Sequence, residues 1–397
     1  MFQRALAPKI RALATSMPIV TLTGPRQSGK TTLVRSEFPD LDYVSLEPAD
    51  VRREAREDPR GLLARHERGA IFDEIQRAPE LLSYLQVMVD ENPRPGRFVL
   101  TGSQSLLLME HVSQSLAGRT AVLELLPLTI AELEGARPLD FERLCTGDAV
   151  APPPARPVWE ILWTGFYPRI HDQRLDPTDW LESYLRSYIE RDLRDQLRVM
   201  NLATFERFVR LAASRTGQEL NLLSLAEDVG ISQPTARQWM NVLETGFIVT
   251  LLQQHHQNFG KRVRRRPKLI WNDTGLVCCL LGIRSPAILA THPLRGAIFE
   301  TFVAGELRKA YTNRGREAPL YYWRDASGHE VDLVVDLGDR LIGIEVKSGE
   351  TFNPSMLDGL RWWHALSGND RSSGILIHGG ARTFRIDDFS IRPWYLG

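Results

Sequence analysis

The chain has 397 residues, of which 43% are hydrophobic and 25% charged, and its formal net charge at pH 7 is zero. One hydrophobic core stops growing beyond about 250–300 residues, so this length predicts roughly two to four domains. The balanced charge excludes a chain that is basic or acidic throughout, and a nucleic-acid partner must therefore be sought in local patches.

The cysteines and the N-terminal segment indicate a compartment. Cys145, Cys278 and Cys279 form no CxxC pair, which is typical of a protein in a reducing environment. The first residues lack the apolar core of a signal peptide, and no run of about eighteen apolar residues occurs. The sequence therefore predicts a cytoplasmic protein that does not span a membrane.

Five apolar segments of strand length occur in the first third of the chain, with charged, helical-looking stretches between them. This alternation is typical of a parallel sheet with helices on its faces. We therefore predict an α/β domain of the P-loop type over residues 1–150, ending in the proline-rich run of residues 147–157. The apolar segments begin at Pro18, Leu41, Gly69, Arg97 and Ala121.

The stretch GPRQSGKT, residues 24–31, follows the first apolar segment and precedes a predicted helix. It matches the pattern GxxxxGK[ST], in which glycines let backbone N–H groups surround nucleotide phosphates. Lys30, a catalytic candidate, would bind the β- and γ-phosphates of ATP, and the Thr31 hydroxyl would coordinate Mg²⁺. A chance glycine-rich turn is the alternative. The predicted nucleotide-binding residues of this segment are Gly24, Pro25, Arg26, Gln27, Ser28, Gly29, Lys30, Thr31 and Thr32.

Polar residues that follow two later strands fit the same site. Asp73 would hold the Mg²⁺ shell, and Glu74 would orient or deprotonate the attacking water. Thr101 and Ser103 follow another strand and would lie near the γ-phosphate, unless they are ordinary strand-end polar residues. Arg119 would act as an arginine finger across a contact in a homo-oligomer, with a plain surface arginine as the alternative.

The middle of the chain reads as a helical region over residues 151–215 and a winged helix-turn-helix over residues 216–292. A glycine turn at Gly230 separates two predicted helices, the second of which begins near Ser232. Its exposed side chains would contact DNA, or the module would bind a protein instead. The run KRVRRRPK, residues 261–268, has six basic residues in eight positions and favours DNA. The predicted contact residues are Gln233, Thr235, Arg237 and Gln238.

Near the C-terminus, strand alternation in IGIEVKS places Glu345 and Lys347 on one face and the aliphatic residues on the other. If the strand EVDLVVD pairs with it in register, Asp332 meets Glu345 and a divalent ion can lie between them. Lys347 would then orient water or stabilise charge on a phosphate. Glu300 on the preceding helix would complete the metal shell, and Glu306 is a weaker candidate. Charge pairs that serve only solubility are the alternative.

These motifs carry a resemblance to a known group. TLTGPRQSGKTTL, IFDEIQRAPELLSYLQ, FVLTGSQ, LAGRT and LPLTIAEL resemble the ATPase domain of a widespread group of prokaryotic AAA-superfamily proteins. TGFYP, YLRSYIERDLR, LIWNDTGL and FETFVAGELRK…YYWRDASGHEVDLVV…GIEVKSG are similar to the domain of unknown function that follows it in that group.

The resemblance implies a winged helix followed, over residues 293–397, by an α/β domain with the restriction-endonuclease-like fold of the PD-(D/E)xK kind. The pattern of that fold falls on Glu300, Asp332, Glu345 and Lys347. Val331 stands where the fullest version of the pattern has a proline.

The leading hypothesis is a Mg²⁺-dependent ATPase that controls DNA binding and metal-dependent DNA cleavage by its C-terminal half. The first alternative is an ATP-driven switch whose nuclease-like domain only binds DNA or protein. The second is the ATPase partner of a toxin-antitoxin or signalling pair.

Overall fold

The computed structural model describes residues 2–103, 115–141, 144, 152–197, 202–255, 266–325, 327–368 and 373–395. The chain divides into two compact units. The first comprises residues 1–127 with two short later segments, 245–247 and 311–316, and the second comprises the rest. In the described ranges no helix is both long and apolar enough to cross a membrane.

The first unit contains the predicted parallel sheet. Its described strands lie in the order β2-β3-β4-β1-β5, and each neighbouring pair is parallel. The strands are β1 Ile19–Thr23, β2 Asp42–Ser45, β3 Ala70–Asp73, β4 Phe98–Gly102 and β5 Thr120–Glu124. The helices between them are α1 Ala7–Ala14, α2 Lys30–Glu37, α3 Ala49–Glu57, α4 Pro59–Ala64 and α5 Leu81–Glu91.

This sheet has a hydrophobic core on each face, because neighbouring residues of a strand point to opposite sides. Ile71 of β3 belongs to one core, together with Leu6, which precedes α1, and Leu33 of α2. The next residue, Phe72, belongs to the other core, together with Leu85 of α5. Burial on both faces explains why β1, β3 and β4 are almost continuously apolar in sequence.

The second unit begins with helices. The first of them starts with a capping box, in which Thr129 N donates to Glu132 Oε2 (2.8 Å) and Glu132 N donates to Thr129 Oγ1 (3.1 Å). The helices are α6 Ile130–Glu134, α7 Val158–Thr164, α8 Pro168–Asp172, α9 Pro177–Leu197, α10 Leu202–Ala213, α11 Leu222–Val229 and α12 Gln233–Thr245.

Helices α11 and α12 are joined by a short turn at the predicted position. Gly230 has a φ of 79° and its N–H donates to Ala226 O (2.9 Å), and Ser232 then accepts from Thr235 N at 3.2 Å. The described strands β6 (Val249–Leu252) and β7 (Lys268–Trp271) follow as an antiparallel pair. The winged-helix interpretation of these elements stays a prediction.

The last part of the second unit is a mixed sheet. Its described strands lie in the order β12-β13-β11-β10-β9-β8, with β10, β11 and β13 parallel and the other pairs antiparallel. The strands are β8 Leu320–Arg324, β9 Glu330–Asp336, β10 Leu341–Lys347, β11 Ile375–His378, β12 Phe384–Ile386 and β13 Phe389–Pro393. The remaining helices are α13 Thr274–Leu280, α14 Pro286–Thr291, α15 Arg295–Thr312 and α16 Asp358–Ser367.

Three predicted features lie wholly or partly outside the described residues. Cys145 and residues 147–151 of the proline-rich run are among them. So are residues 261–265, which form most of the basic run.

Candidate functional site

The predicted phosphate loop lies between β1 and α2, at the carboxyl end of the parallel sheet. Gly24 has a φ of 145°, and a Cβ there would lie 2.2 Å from Leu125 O, so only glycine fits. Gly29 is left-handed as well, with a φ of 92°, and it precedes the first turn of α2. Of the other loop residues, Arg26 is half-buried and Gln27 and Thr32 are exposed.

Lys30 lies within this loop. Its Nζ donates to Gly24 O and to Pro25 O, each at 2.9 Å, and the residue is 5% exposed. Burial lowers the pKa of Lys30 to about 8, against the opposing charges of Glu74 and Asp73. The ammonium therefore lies in the loop with few solvent contacts, held by carbonyl oxygens that phosphate oxygens could replace.

Asp73 is the meeting point of three hydroxyl groups. Thr31 Oγ1 donates to its Oδ2 at 3.0 Å, Tyr43 OH donates to the same oxygen at 2.6 Å, and Thr101 Oγ1 donates to Oδ1. Burial and the hydrogen bond to Asp73 raise the pKa of Tyr43. Strand order explains the convergence, because β2, β3 and β4 are neighbours and α2 starts at the same edge.

Glu74 follows Asp73 in a left-handed conformation, with a φ of 59°. Such a conformation costs a residue with a side chain about 1–2 kcal/mol. Glu74 N donates to Thr101 Oγ1 at 3.3 Å. Its carboxylate accepts from Ser103 Oγ at 3.0 Å and from Gln76 Nε2. The sequence-predicted pair and both predicted sensor residues are therefore brought together.

Arg119 has a partner within its own chain. Its Nε and Nη2 donate to the two carboxylate oxygens of Asp90, at 2.6 and 2.8 Å. This bidentate pair is on the surface, and its hydrogen bonds raise the pKa of Arg119 and lower that of Asp90. The structure thus does not bring Arg119 to the loop residues of the same chain.

Sequence reasoning missed three residues of this site. Tyr43 and Gln76 touch the acidic pair, and only their positions beside predicted strand ends could have indicated them. Arg4 is 7% exposed and donates to Ser28 O and Leu126 O, each at 2.6 Å. No motif surrounds Arg4, since it reaches the loop from a segment before α1.

The loop fits ATP with Mg²⁺. Among the described residues no hydrogen-bond partner exists for the buried Ser28 Oγ, so the loop retains a polar atom without a protein partner. Mg²⁺ bound with a nucleotide needs only one or two protein oxygens, because phosphates and water supply the others. Thr31 and Asp73 provide such a pair.

The second helix of the predicted helix-turn-helix presents polar groups to solvent. Gln233, Arg237 and Gln238 are exposed, and Thr235 is half-buried. The opposite face of α12 is buried and includes Trp239, which contacts aromatic rings of α10.

The C-terminal candidates also come together, at β9 and β10. Val346 N donates to Asp332 Oδ2 at 2.8 Å. Lys347 Nζ is 2.5 Å from Glu345 Oε1 and 3.6 Å from Asp332 Oδ2, so the three side chains share one side of the sheet. Glu306 does not join them, because it lies six residues after Glu300 on α15 and on another face of that helix.

Glu300 binds a lysine that sequence reasoning placed elsewhere. Lys268 Nζ lies 2.7 Å from Glu300 Oε1 and 2.5 Å from Glu330 Oε1. Lys268 is the last residue of the basic run and the first of β7, and its side chain is 2% exposed. The sequence analysis assigned neither Lys268 nor Glu330 to this site. It placed Lys268 in the basic run, whose cations were expected to be exposed to solvent.

Electrostatics follow from this burial. Burial raises the pKa of Glu300 and of Glu345, and the charge of Asp332 raises both further. Burial alone would lower the pKa of Lys268, but Glu300, Asp332 and Glu330 together raise it. The acidic centre, defined as Glu300, Glu330, Asp332 and Glu345, is thus charge-paired with Lys268 and Lys347.

These side chains fit a metal ion poorly. In the ranges that the structure describes, no group of three or more His, Cys, Asp or Glu residues is arranged to hold one. Ammonium groups lie against carboxylate oxygens of the centre, where metal ligands would have to be free.

Comparison with known proteins agrees with the phosphate loop. Residues 16–134 match a family model described as an AAA domain. Residues 156–287 and 295–396 each match a model described only as a domain of unknown function. The C-terminal match therefore does not identify a nuclease fold.

Two curated relatives and two solved structures are similar to this chain. Uncharacterized proteins of Mycobacterium bovis and Mycobacterium tuberculosis are each 33% identical over 97% of this chain and 82% of their own length. A Walker-type ATPase of Pyrococcus abyssi is 14% identical, with a TM-score of 0.42 over 70% of this chain and 96% of its own. The RuvB Holliday junction branch migration motor of Thermotoga maritima is 18% identical, with a TM-score of 0.30 over 62% and 87%.

The AAA domain match covers the sheet, the loop and the acidic pair, and the mycobacterial relatives align along nearly the full length. This chain has an AAA-type P-loop ATPase domain and belongs to one family with those uncharacterized mycobacterial proteins.

Proposed function

We propose that this chain is a Mg²⁺-dependent ATPase whose nucleotide state controls DNA binding by the part of the chain that follows the ATPase domain. The ATPase part depends on one observation, the 3.0 Å hydrogen bond between Thr31 Oγ1 and Asp73. Lys30 and Glu74 are the sequence neighbours of these two residues. The four side chains are of the types that phosphoryl transfer to water uses, which supports the proposal.

Each residue has a distinct task. Lys30 exchanges the carbonyls of Gly24 and Pro25 for oxygens of the β- and γ-phosphates. Thr31 and Asp73 would hold Mg²⁺, which would supply positive charge to neutralise the phosphates. Glu74 accepts a proton from the attacking water, and the Ser103 hydroxyl at 3.0 Å fixes the carboxylate for that step.

DNA binding is supported by exposed polar groups on α12 and by the basic run of the sequence. Gln233, Arg237 and Gln238 are exposed on one helix, as side chains that contact bases or phosphates must be. Besides the buried and paired Lys268, the basic run contains five cations in close sequence, and such a cluster creates a local field suited to a phosphate backbone even in a neutral protein. A protein partner on the same surface is the alternative.

We propose further that the C-terminal domain binds without cutting DNA. Metal-dependent hydrolysis needs carboxylates free to bind the metal. Lys268 and Lys347 contact carboxylates of the acidic centre at 2.5–2.7 Å. The arrangement therefore supports the ATP-driven switch over the nuclease.

Two substitutions test the ATPase site. Lys30→Ala removes the phosphate-binding cation and should abolish nucleotide binding and turnover. Glu74→Gln keeps the shape of the side chain, so we expect ATP binding to persist while kcat falls by at least about 100-fold. Glu80→Gln is the control, because Glu80 is a half-exposed acid nearby in sequence. Normal turnover in Glu74→Gln would contradict the assignment.

The DNA part is tested in the same reactions. ATP turnover is measured with single-stranded, duplex and branched DNA, and strand scission is followed in the same tubes. We expect stimulation by at least one DNA shape, its loss in Arg237→Glu, and no scission. Arg53→Glu, an exposed arginine of the ATPase domain, is the matched control. Absence of stimulation and of DNA binding would favour the protein-binding alternative. Strand scission by the wild type that Glu345→Gln lacks would instead support the nuclease hypothesis.

A further inference from the structure

Backbone hydrogen bonds on both sides of Lys268 position it at the acidic centre. Leu220 N donates to Pro267 O at 2.7 Å, and Leu269 N donates to Gln218 O at 2.9 Å. Lys268 itself forms a bridge with Glu219 in the antiparallel sense. The backbone on both sides of Lys268 is therefore hydrogen-bonded, and the side chain starts from a defined position beside the acidic centre.

The surroundings of the side chain complete the site. The Tyr322 ring lies 5.4 Å from Lys268 Nζ, an arrangement that favours a cation. Tyr322 OH also donates to Arg266 O, which attaches the residue before Pro267 to β8. A buried ammonium is costly unless it is paired, and Glu300 and Glu330 provide that pairing.

The rest of the centre holds one more cation. Lys347 is bonded to Glu345 Oε1 and lies near Asp332, so each of the four carboxylates has a lysine close by. Glu345 Oε2 is buried, and within the described ranges it has no hydrogen-bond partner. A Cβ on Gly359 would lie 3.1 Å from this oxygen, so it faces the first turn of α16 and not an open cavity.

We infer that the Lys268 ammonium fills the cation position of the acidic centre, so that this centre binds no divalent ion while Lys268 is present. Glu300 and Glu330 are the carboxylates that a metal at this position would use, and both contact Lys268 Nζ. A divalent ion there would have to displace an ammonium that is paired with both carboxylates. Lys268 thus replaces a metal as the counter-ion of the centre, whatever the rest of the chain binds.

Removal of the ammonium should create a site for a hard divalent cation. Lys268→Met keeps most of the length of the side chain and removes its charge. Glu300 and Glu330 then offer oxygen ligands without an ammonium between them, and affinity for such ions rises with the charge of the ligands.

The experiment is a titration of the nucleotide-free, full-length protein with MnCl₂, followed by calorimetry and by the EPR signal of free Mn²⁺. We expect weak binding in the wild type and binding tighter by about 100-fold in Lys268→Met, given how strongly ligand charge tunes affinity. Lys268→Met/Glu330→Gln should lose the gain. Lys309→Met is the matched control, because it removes a buried lysine paired with Glu306 at 2.6 Å on α15.

A gain in Lys268→Met that the control lacks supports the inference, and equal Mn²⁺ affinity in Lys268→Met and the wild type overturns it. If Lys268→Met fails to fold, the test is the Mn²⁺ affinity of the wild type compared with that of Glu345→Gln and of Glu330→Gln. Wild-type Mn²⁺ binding that either variant weakens tenfold overturns the inference, and unchanged weak binding supports it. ATP turnover and DNA binding are not part of this readout, so the proposed ATPase and its DNA binding stand or fall separately. The proposal that the C-terminal domain does not cut DNA rests on the same lysine contacts, and Mn²⁺ binding by the wild type at this centre would contradict it as well.

Discussion

Lys30 combines burial with a pKa lowered to about 8, because its desolvation disfavours the ammonium. Below this pKa the free protein carries the charge, and above it the charge is lost. ATP phosphates stabilise the ammonium, so binding at about pH 9 must restore the proton that the free protein has released. We therefore expect ATP binding to take up close to one proton at about pH 9 and only about a tenth of one at about pH 7.

Calorimetry in buffers of different ionisation enthalpy measures this uptake directly. Lys30→Arg is the control, because a guanidinium keeps its proton at both pH values. Binding heats that do not depend on the buffer at about pH 9 would show that Lys30 is charged before ATP arrives.

Among single residues, sequence motifs located those whose positions follow directly from a loop motif or from the end of a strand. Thr31 and Asp73 are fixed by the loop and by a strand end, and they meet at 3.0 Å. Tyr43 and Arg4 reach the same site by tertiary contacts that no spacing encodes. For Lys268 the sequence pattern was misleading. The basic residues around it predicted an exposed side chain, but the side chain is buried against carboxylates.

At the scale of elements, the start of α13 is joined to a distant segment through one carboxylate. Asp273 accepts from Leu276 N at 2.8 Å as the cap of α13, and from Phe166 N at 2.6 Å. A Cβ on Gly165 would lie 2.6 Å from Asp273 Oδ1, so that glycine permits the close approach. The segments TGFYP and LIWNDTGL, which are far apart in sequence, therefore meet here.

Asp273→Ala should lower the free energy of unfolding by about 2–4 kcal/mol, because it removes a cap and leaves buried N–H groups without acceptors. Denaturant unfolding measures the loss. Asp176→Ala is the control, since Asp176 accepts from Asp179 N at 3.0 Å as an exposed cap. A loss in Asp273→Ala no larger than in that control would refute the joint role.

The same carboxylate gives a pH dependence of known sign. Burial raises the pKa of Asp273 to about 6 in the folded protein, above its value of about 3.9 in unfolded chains. The folded state therefore binds the proton more tightly, and this contribution to stability is lost as pH rises through about 6. Relative to Asp273→Asn, the wild type should gain stability as pH falls from about 7 to about 4.

Elements with a strong periodic pattern were predictable from sequence. The five strands of the parallel sheet lie where the apolar segments predicted them. Strands β1, β3 and β4 are buried along their whole length, which favours apolar residues, whereas β2 is partly exposed. The C-terminal strand β9 was predicted as well. The bridge between Gln254 and Tyr322 of the neighbouring strand β8 was not, because the two residues are some seventy positions apart in sequence. Contacts of this kind depend on the folded chain and leave no local pattern.

At the scale of the whole molecule, the open question is whether ATP turnover needs a second copy of the chain. Arg119 is half-buried and bound to Asp90 by two hydrogen bonds, and it does not reach the loop of its own chain. In a head-to-tail assembly the same residue can face the nucleotide of a neighbour, where a guanidinium stabilises charge in the transition state. We propose that Arg119 acts in this way in a homo-oligomer.

Arg119→Ala should then lower kcat by about 1000-fold or more, while Asp90→Ala, which only frees the guanidinium, should not lower it. The decisive measurement mixes Arg119→Ala with Glu74→Gln, two variants that are each inactive. In mixed assemblies the Glu74→Gln subunit supplies Arg119 to a neighbour that retains Glu74. With equal amounts and random mixing, half of the subunits retain Glu74, and half of these have a Glu74→Gln subunit beside them that supplies Arg119. Turnover should therefore recover to about a quarter of the wild-type value. A mixture no more active than its components would leave Arg119 as a surface residue paired with Asp90.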